Sequence, residues 1–302
     1  MRARASWRDP ALGPPRTLEL EQGRLQYFDR GSGEAIVFVH GGFVNANLWR
    51  KVVPLLERDF RCVVPDFPFA SHTIPMPAAD LGSAGGLVSL VTGFIEALEL
   101  DDVTLVGMDT GGAICQFVVT QRPERVGRLV LTSCDYRDNF PPRLFSHLKL
   151  IPHLPDWQRV LFAPFRLRAV RRLPLGLGWL VHRQVDRTTE DSWMLPALED
   201  PAILADTKRF LRVFDRGLLN RTADLLGSFG GPALVAWSAD DRVFPVAHGR
   251  RLASELRDAR FELIEGARTF SMEDQPERLA ALIADFVSST TRAAMPTHRA
   301  SG

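Results

Sequence analysis

A mainly parallel β-sheet flanked by helices, with an inserted helical cap, is the α/β fold that three features of this sequence predict. Apolar, β-branched runs alternate with segments of helical spacing between residues 35 and 132. The alternation returns between residues 233 and 287, and the stretch separating the two carries many prolines and no strand signal. Strands covered on both faces read as continuous apolar runs, and parallel neighbours need helical crossovers, so this rhythm specifies a covered parallel sheet. The expected organisation is a core of residues 1–135 and 229–290, a helical cap over 136–228 and a disordered tail over 291–302.

Taken in order, Thr17 to Phe28 alternates as a hairpin around Gln22-Gly23, and Ala35 to Val39 is a continuous apolar strand that ends in His40-Gly41-Gly42. Leu48, Val52, Leu55 and Leu56 predict a helix over Asn47 to Glu57. A strand at Cys62 to Val64 follows, broken by Pro65-Asp66-Phe67-Pro68, and then a helix over Ser83 to Leu98. The run Val103 to Val106 drives into Gly107-Met108-Asp109-Thr110-Gly111 and a helix over Ala113 to Gln121. Glycines on both sides of Asp109 allow a sharp turn between strand and helix. The carboxylate then stands at a helix N-terminus, where backbone N–H groups and the dipole are expected to keep it ionised. Strands at Leu129 to Thr132, Ala233 to Trp237 and Phe261 to Ile264, with helices at Val246 to Leu256 and Pro276 to Val287, complete the core.

The 37 basic and 36 acidic residues leave a net charge of +1, which provides no field for nucleic acid or an anionic membrane. A small-molecule substrate is the expected partner, and a homodimer is compatible with the sequence. Cys62, Cys115 and Cys134 are far apart in apolar surroundings, which reads as buried free thiols in a cytoplasmic protein. Met1 to Pro15 lacks an apolar signal segment, and no run is long enough to span a bilayer. No metal site and no cofactor is expected.

His40-Gly41-Gly42-Phe43, the Gly-x-Asp-x-Gly turn, Trp237 to Pro245 and Pro276-Glu277-Arg278-Leu279 together resemble the α/β-hydrolase superfamily. The aspartate at the turn, there called the nucleophile elbow, resembles the haloalkane dehalogenase and epoxide hydrolase branch. The resemblance implies that Asp109 attacks carbon and forms an ester, with the N–H groups of Thr110 and of Gly42 or Phe43 as an electrostatic pocket. It implies an acid at Asp241, or alternatively at Asp135, and assigns His40 to bracing its loop. Asp240 reads as a solvated turn residue.

One departure stands out. Where the family carries a histidine base, this chain has Thr269, within Arg268-Thr269-Phe270. A threonine hydroxyl cannot take a proton from water as imidazole does. Asp135, Glu273 or a histidine reaching from the cap, His153 or His182, are candidate replacements. Thr110 and Gly42 stand where dehalogenases carry halide donors, and only Tyr27 and Tyr136 are available as tyrosines, so ordinary dehalogenation and epoxide hydrolysis are both disfavoured. The cap aromatics Trp157, Phe162, Phe165, Trp179 and Trp193 are expected at a substrate pocket or in the cap's own core, and the pocket is expected to include His40, His153, Trp193, Trp157 and Phe270. The cap arginines read as a solvated face or as selectors of an anionic substrate. Three functions fit: a hydrolase with a His-less triad, a cofactor-free lyase, isomerase or cyclase using Asp109 as acid and base, and a non-catalytic small-molecule binder.

Overall fold

The structure, a computed structural model, describes residues 7–154 and 163–294. Eight strands form one sheet in the order β1-β2-β4-β3-β5-β6-β7-β8: Arg16–Leu20, Gly23–Arg30, Ala35–Val39 (β3), Arg61–Pro65 (β4), Val103–Met108 (β5), Val126–Cys134 (β6), Ala233–Ser238 (β7) and Ala259–Ile264 (β8). The hairpin strands β1 and β2 pair antiparallel, as β2 does with β4, and every later pairing is parallel. Eleven α-helices are described: α1 Val53–Leu56, α2 Ala84–Ala97, α3 Asp109–Gln121, α4 Arg168–Arg171, α5 Arg187–Met194, α6 Pro196–Glu199, α7 Pro201–Phe210, α8 Arg216–Asp224, α9 Val246–Glu255, α10 Ser271–Asp274 and α11 Pro276–Ala294.

Alternation along each strand divides the core between the two faces of the sheet. Val37, Val39, Val103 and Leu105 pack with α2, α3 and α9, whereas Ile36, Phe38 and Val106 pack with Trp49, α1 and α11. Between β6 and β7 the described residues form only helical segments, which cover the C-terminal end of the parallel strands. That end is where open α/β sheets place their ligands.

Two expectations are corrected. The helix over Asn47 to Glu57 is split into a 3₁₀ turn, Ala46–Trp49, and the short α1, because Pro54 is confined to a first helical turn. The tail does not begin at 291, since α11 continues to Ala294. Its last turns are held where Arg128 donates to the Thr290 and Thr291 hydroxyls at 2.8 Å and Thr291 donates to Glu34 at 2.8 Å. Residues 295–302 lie outside the described residues. All three cysteines are free and buried, and among the described residues no helix is long and apolar enough to cross a membrane.

Candidate active site

β5 hands over to α3 without an intervening loop, and Asp109 takes the turn with φ at 49°, a left-handed value unusual for a residue with a side chain. Close packing holds it there. A Cβ on Gly111 would lie 2.4 Å from the His40 carbonyl oxygen, and one on Gly112 would lie 2.3 Å from Cys134 Cβ, so only glycines let α3 approach β3 and β6 this closely. The Asp109 carboxylate lies over Gly41, where a Cβ would come 2.7 Å from Oδ2.

Burial dominates the electrostatics of this carboxyl. It pushes Asp109 up to about 7, against hydrogen bonds from the Thr110 N–H and hydroxyl, with the negative charge of Asp241 adding to the rise. The expectation of a fully ionised Asp109 is therefore corrected: desolvation outweighs the helix N-terminus. Asp135, just past β6, is completely buried and is raised well above the usual carboxylate range, by burial first and by Asp109 second. Asp241, in the loop after β7, accepts from the Val243 and Phe244 N–H groups at 2.8 Å and from the Thr269 hydroxyl at 2.9 Å. Burial raises it too, partly offset by these donors and by the Ser133 hydroxyl, and its Oδ2 has no partner among the described residues.

A cavity of about 450 Å³ lies between sheet and cap. Asp109 and Thr110 form part of its wall, with Gly42, Phe43, Trp193 and Phe270 beside them and Leu148, Ile151, Leu177, Leu198 and Leu204 among the cap residues opposite. Asp109 is the one carboxylate in the wall among the described residues. Thr269 and Asp135 are buried outside the wall, as is half-buried Asp241.

Several candidates fall elsewhere. His40 is buried below the wall with Nδ1 2.8 Å from the Gly41 carbonyl, and desolvation lowers its pKa to about 4, so it braces the loop and is not a pocket residue. The Phe43 N–H is spent on the Phe69 carbonyl at 2.8 Å, so it is not a donor to the site, and the Thr110 N–H is the backbone donor to the Asp109 carboxyl. Exposed His153 is absent from the wall, and His182 pairs with Asp240 on the surface at 3.0 Å. Glu273 is locked by Arg50 and Lys51. Tyr136 is buried against Arg137 and away from the cavity. Trp157 and Phe162 lie outside the described residues. Sequence reasoning missed His147, which lines the cavity, and Ser133, which supports Asp241; neither sits in a recognisable motif. Several of the described cap arginines face acids, as Arg168 does Glu190 at 2.7 Å and Arg171 does Asp191 at 2.6 Å, and no described arginine lines the cavity. Among the described residues no cluster of three or more His, Cys, Asp or Glu is placed to hold a metal ion.

The alpha/beta hydrolase fold family matches residues 34–276, most of the chain and every strand from β3 onward. The chain belongs to that family. Named relatives of this α/β-hydrolase include an uncharacterised hydrolase of Bacillus subtilis, 25% identical with 92% of this chain and 99% of the relative covered. A 2-hydroxy-6-oxo-6-phenylhexa-2,4-dienoate hydrolase of Burkholderia cepacia is 25% identical over 89% and 93%. Haloalkane dehalogenase 2 of Mycobacterium bovis is 28% identical over 91% and 96%. Among solved structures, an ancestral haloalkane dehalogenase superposes with a TM-score of 0.75 at 19% identity over 92% and 99%, and an epoxide hydrolase with 0.74 at 16% over 91% and 99%. These low identities establish the shared fold. The named relatives are hydrolases.

Proposed function

We propose that this α/β-hydrolase acts through the Asp109 carboxylate on a small, uncharged, largely apolar molecule with an electrophilic carbon. One observation carries the reading: a carboxyl on a strained elbow is the acidic group in the wall of an otherwise apolar cavity. No Lys or Arg stands in the described wall, where His147 is the one group able to carry a positive charge, and this argues against an anionic substrate, since a buried negative charge needs a partner.

In the first step an Asp109 oxygen bonds to the substrate carbon while the leaving oxygen or halide departs with its electron pair, giving an ester. The Thr110 N–H donates to the carboxyl. In the second step water adds to the ester carbonyl and must lose a proton. Thr269 alone cannot take it; its hydroxyl donates to Asp241, and this pair is a His-less substitute, with His147 the one imidazole in the described cavity wall. Burial makes Asp241 a stronger base than an ordinary carboxylate, but it is not open to the cavity, so this step is slow.

A second reading has its own support. A carboxyl with its pKa near 7 exists in both forms at neutral pH and suits proton transfer in elimination, isomerisation or cyclisation. Intact-mass spectrometry after exposure to alkyl halides, epoxides and activated esters separates the readings. The displacement mechanism gives a covalent mass gain on the native chain and none on Asp109→Asn. Turnover without any adduct selects the acid–base reading, and saturable binding with neither overturns both.

A further inference from the structure

Thr110 Oγ1 lies 3.3 Å from Asp109 Oδ1 and 3.2 Å from Asp135 Oδ2. A hydroxyl has a single hydrogen to donate, so it cannot fully satisfy two carboxylates. Were both ionised, two buried negative charges would face each other across that one donor. Among the described residues no Lys, Arg or His hydrogen-bonds or ion-pairs with either carboxyl. The ionisable groups around them are Asp241 and the thiols of Cys115 and Cys134, both kept protonated by burial. Like charges this close in a desolvated site resolve by sharing a proton, which one carboxyl then presents to the hydroxyl.

Geometry decides which carboxyl holds it. Asp109 has the Thr110 N–H and the first turn of the 13-residue α3 to support a negative charge. Asp135 has neither, is fully buried, and its Oδ1 has no partner among the described residues. Its backbone is fixed, with its N–H donating to the Asp109 carbonyl at 3.3 Å and its own carbonyl accepting from Gln116 Nε2 at 2.9 Å.

We propose that Asp135 is a proton store for Asp109 and that the Thr110 hydroxyl is the relay between them. At rest Asp135 Oδ2–H donates to Thr110 Oγ1, and the Thr110 hydrogen points at Asp109 Oδ1. When Asp109 must become an acid, the Thr110 O–H bond breaks as Asp109 Oδ1 takes its proton, and the Asp135 O–H bond breaks as Thr110 Oγ1 takes that one. Asp109 becomes a carboxylic acid, Asp135 a carboxylate, and the hydroxyl is regenerated. No water or outside base takes part. Asp135 is a positioning residue, since it acts only through Thr110. The inference rests on Asp109 being the reacting carboxyl, yet it concerns resting protonation and is measurable without a substrate.

The test is a carboxyl-carbon NMR titration of the full chain, with Asp109→Asn and Asp135→Asn assigning the two resonances. Around neutral pH Asp135 should remain protonated while Asp109 titrates. Asparagine at 135 retains an N–H donor for Thr110, so Asp135→Asn should move the Asp109 midpoint by less than about half a unit. Thr110→Val, which removes a donor to the anion, should raise that midpoint by about one unit or more, and Thr110→Ser should restore it. A fall of more than about one unit in Asp135→Asn would mean that a negative charge had been removed from position 135, and would overturn the proposal. So would a Thr110→Ser midpoint matching that of Thr110→Val, which needs no variant at 135. Because no substrate enters, failure here is separate from failure to form an adduct on Asp109.

Discussion

The elbow and the loop after β8 approach the same carboxyl cluster from two sides and are held in opposite ways. At the elbow the backbone is strained and the side chain under-satisfied: Asp109 sits at a left-handed φ, with Thr110 as its hydrogen-bonding neighbour. In the β8 loop most polar groups are engaged, Arg268 Nε being the exception among the described residues. The Arg268 N–H donates to Asp274 at 3.0 Å, the Thr269 hydroxyl to Asp241 at 2.9 Å and the Phe270 N–H to the Leu180 carbonyl at 2.9 Å. Unsatisfied, desolvated groups are where reactivity resides, whereas satisfied networks rigidify. In the proposed reading the elbow carries the chemistry and the loop supports it.

The strongest way to break this comparison is Asp109→Asn, which should lower kcat/KM by about 10³-fold or more if the elbow carries the chemistry. A variant that retains most of its turnover would move the chemistry elsewhere. Thr269→His attacks the comparison from the other side, giving the loop a base. Single-turnover kinetics should then show ester clearance faster by up to about 10²–10⁴-fold, with the alkylation step unchanged. Equal clearance in both proteins would mean that water is already activated by another group.

Stability measurements sharpen the contrast further. Gly111→Ala places a Cβ against the backbone oxygens of Val39 and His40 and should cost about 2–4 kcal/mol in denaturant unfolding. Gly266→Ala meets only the Gln275 side chain at 3.0 Å and a φ of 66°, and should cost about 1 kcal/mol. A further effect of comparable size is in the pH dependence. Asp109 titrates near 7 in the folded chain and near 3.8 when unfolded, so the fold favours its protonated form. That contribution is complete below about pH 4 and is lost as pH rises through 7. Asp109→Asn should flatten the stability profile across this window by about 1–3 kcal/mol, measurable as a difference in unfolding free energy between pH 4 and 8.

Much of the core was legible because its signals are local. Gly107, Asp109 and Gly111 encode the turn within five residues, and Ser83 announces α2 by accepting from the Gly86 N–H as its cap. Thr269 was identifiable from its place before Phe270. The protonation of Asp109 was not legible, because it depends on burial beneath residues such as Phe210, whose ring would lie 3.3 Å from a Cβ at Gly42. Nor was the diversion of the Phe43 N–H to Phe69, a bond between residues 26 positions apart in an apolar loop. His147 had no pattern to distinguish it from a solvated histidine, and only the cavity shows its position.

The cap is fastened to the core along several seams: Asp274 accepts from the His182 and Arg183 N–H groups, Asp206 accepts from the Met76 N–H, and a third seam is built on asparagine and serine. Asn45 Nδ2 donates to the Ser71 and Ser192 carbonyls, Asn47 Nδ2 to Ser192 Oγ at 2.9 Å, and Ser71 Oγ to the Trp193 carbonyl at 2.6 Å, all of them buried. This seam stitches α5 to the loops after β3 and β4. Across the cavity, Leu150 and Leu175 line the wall and are exposed at its rim. Traffic between solvent and Asp109 accordingly runs past that greasy threshold, and the bulk a substrate can have is set by the about 450 Å³ enclosed between walls fastened on several sides.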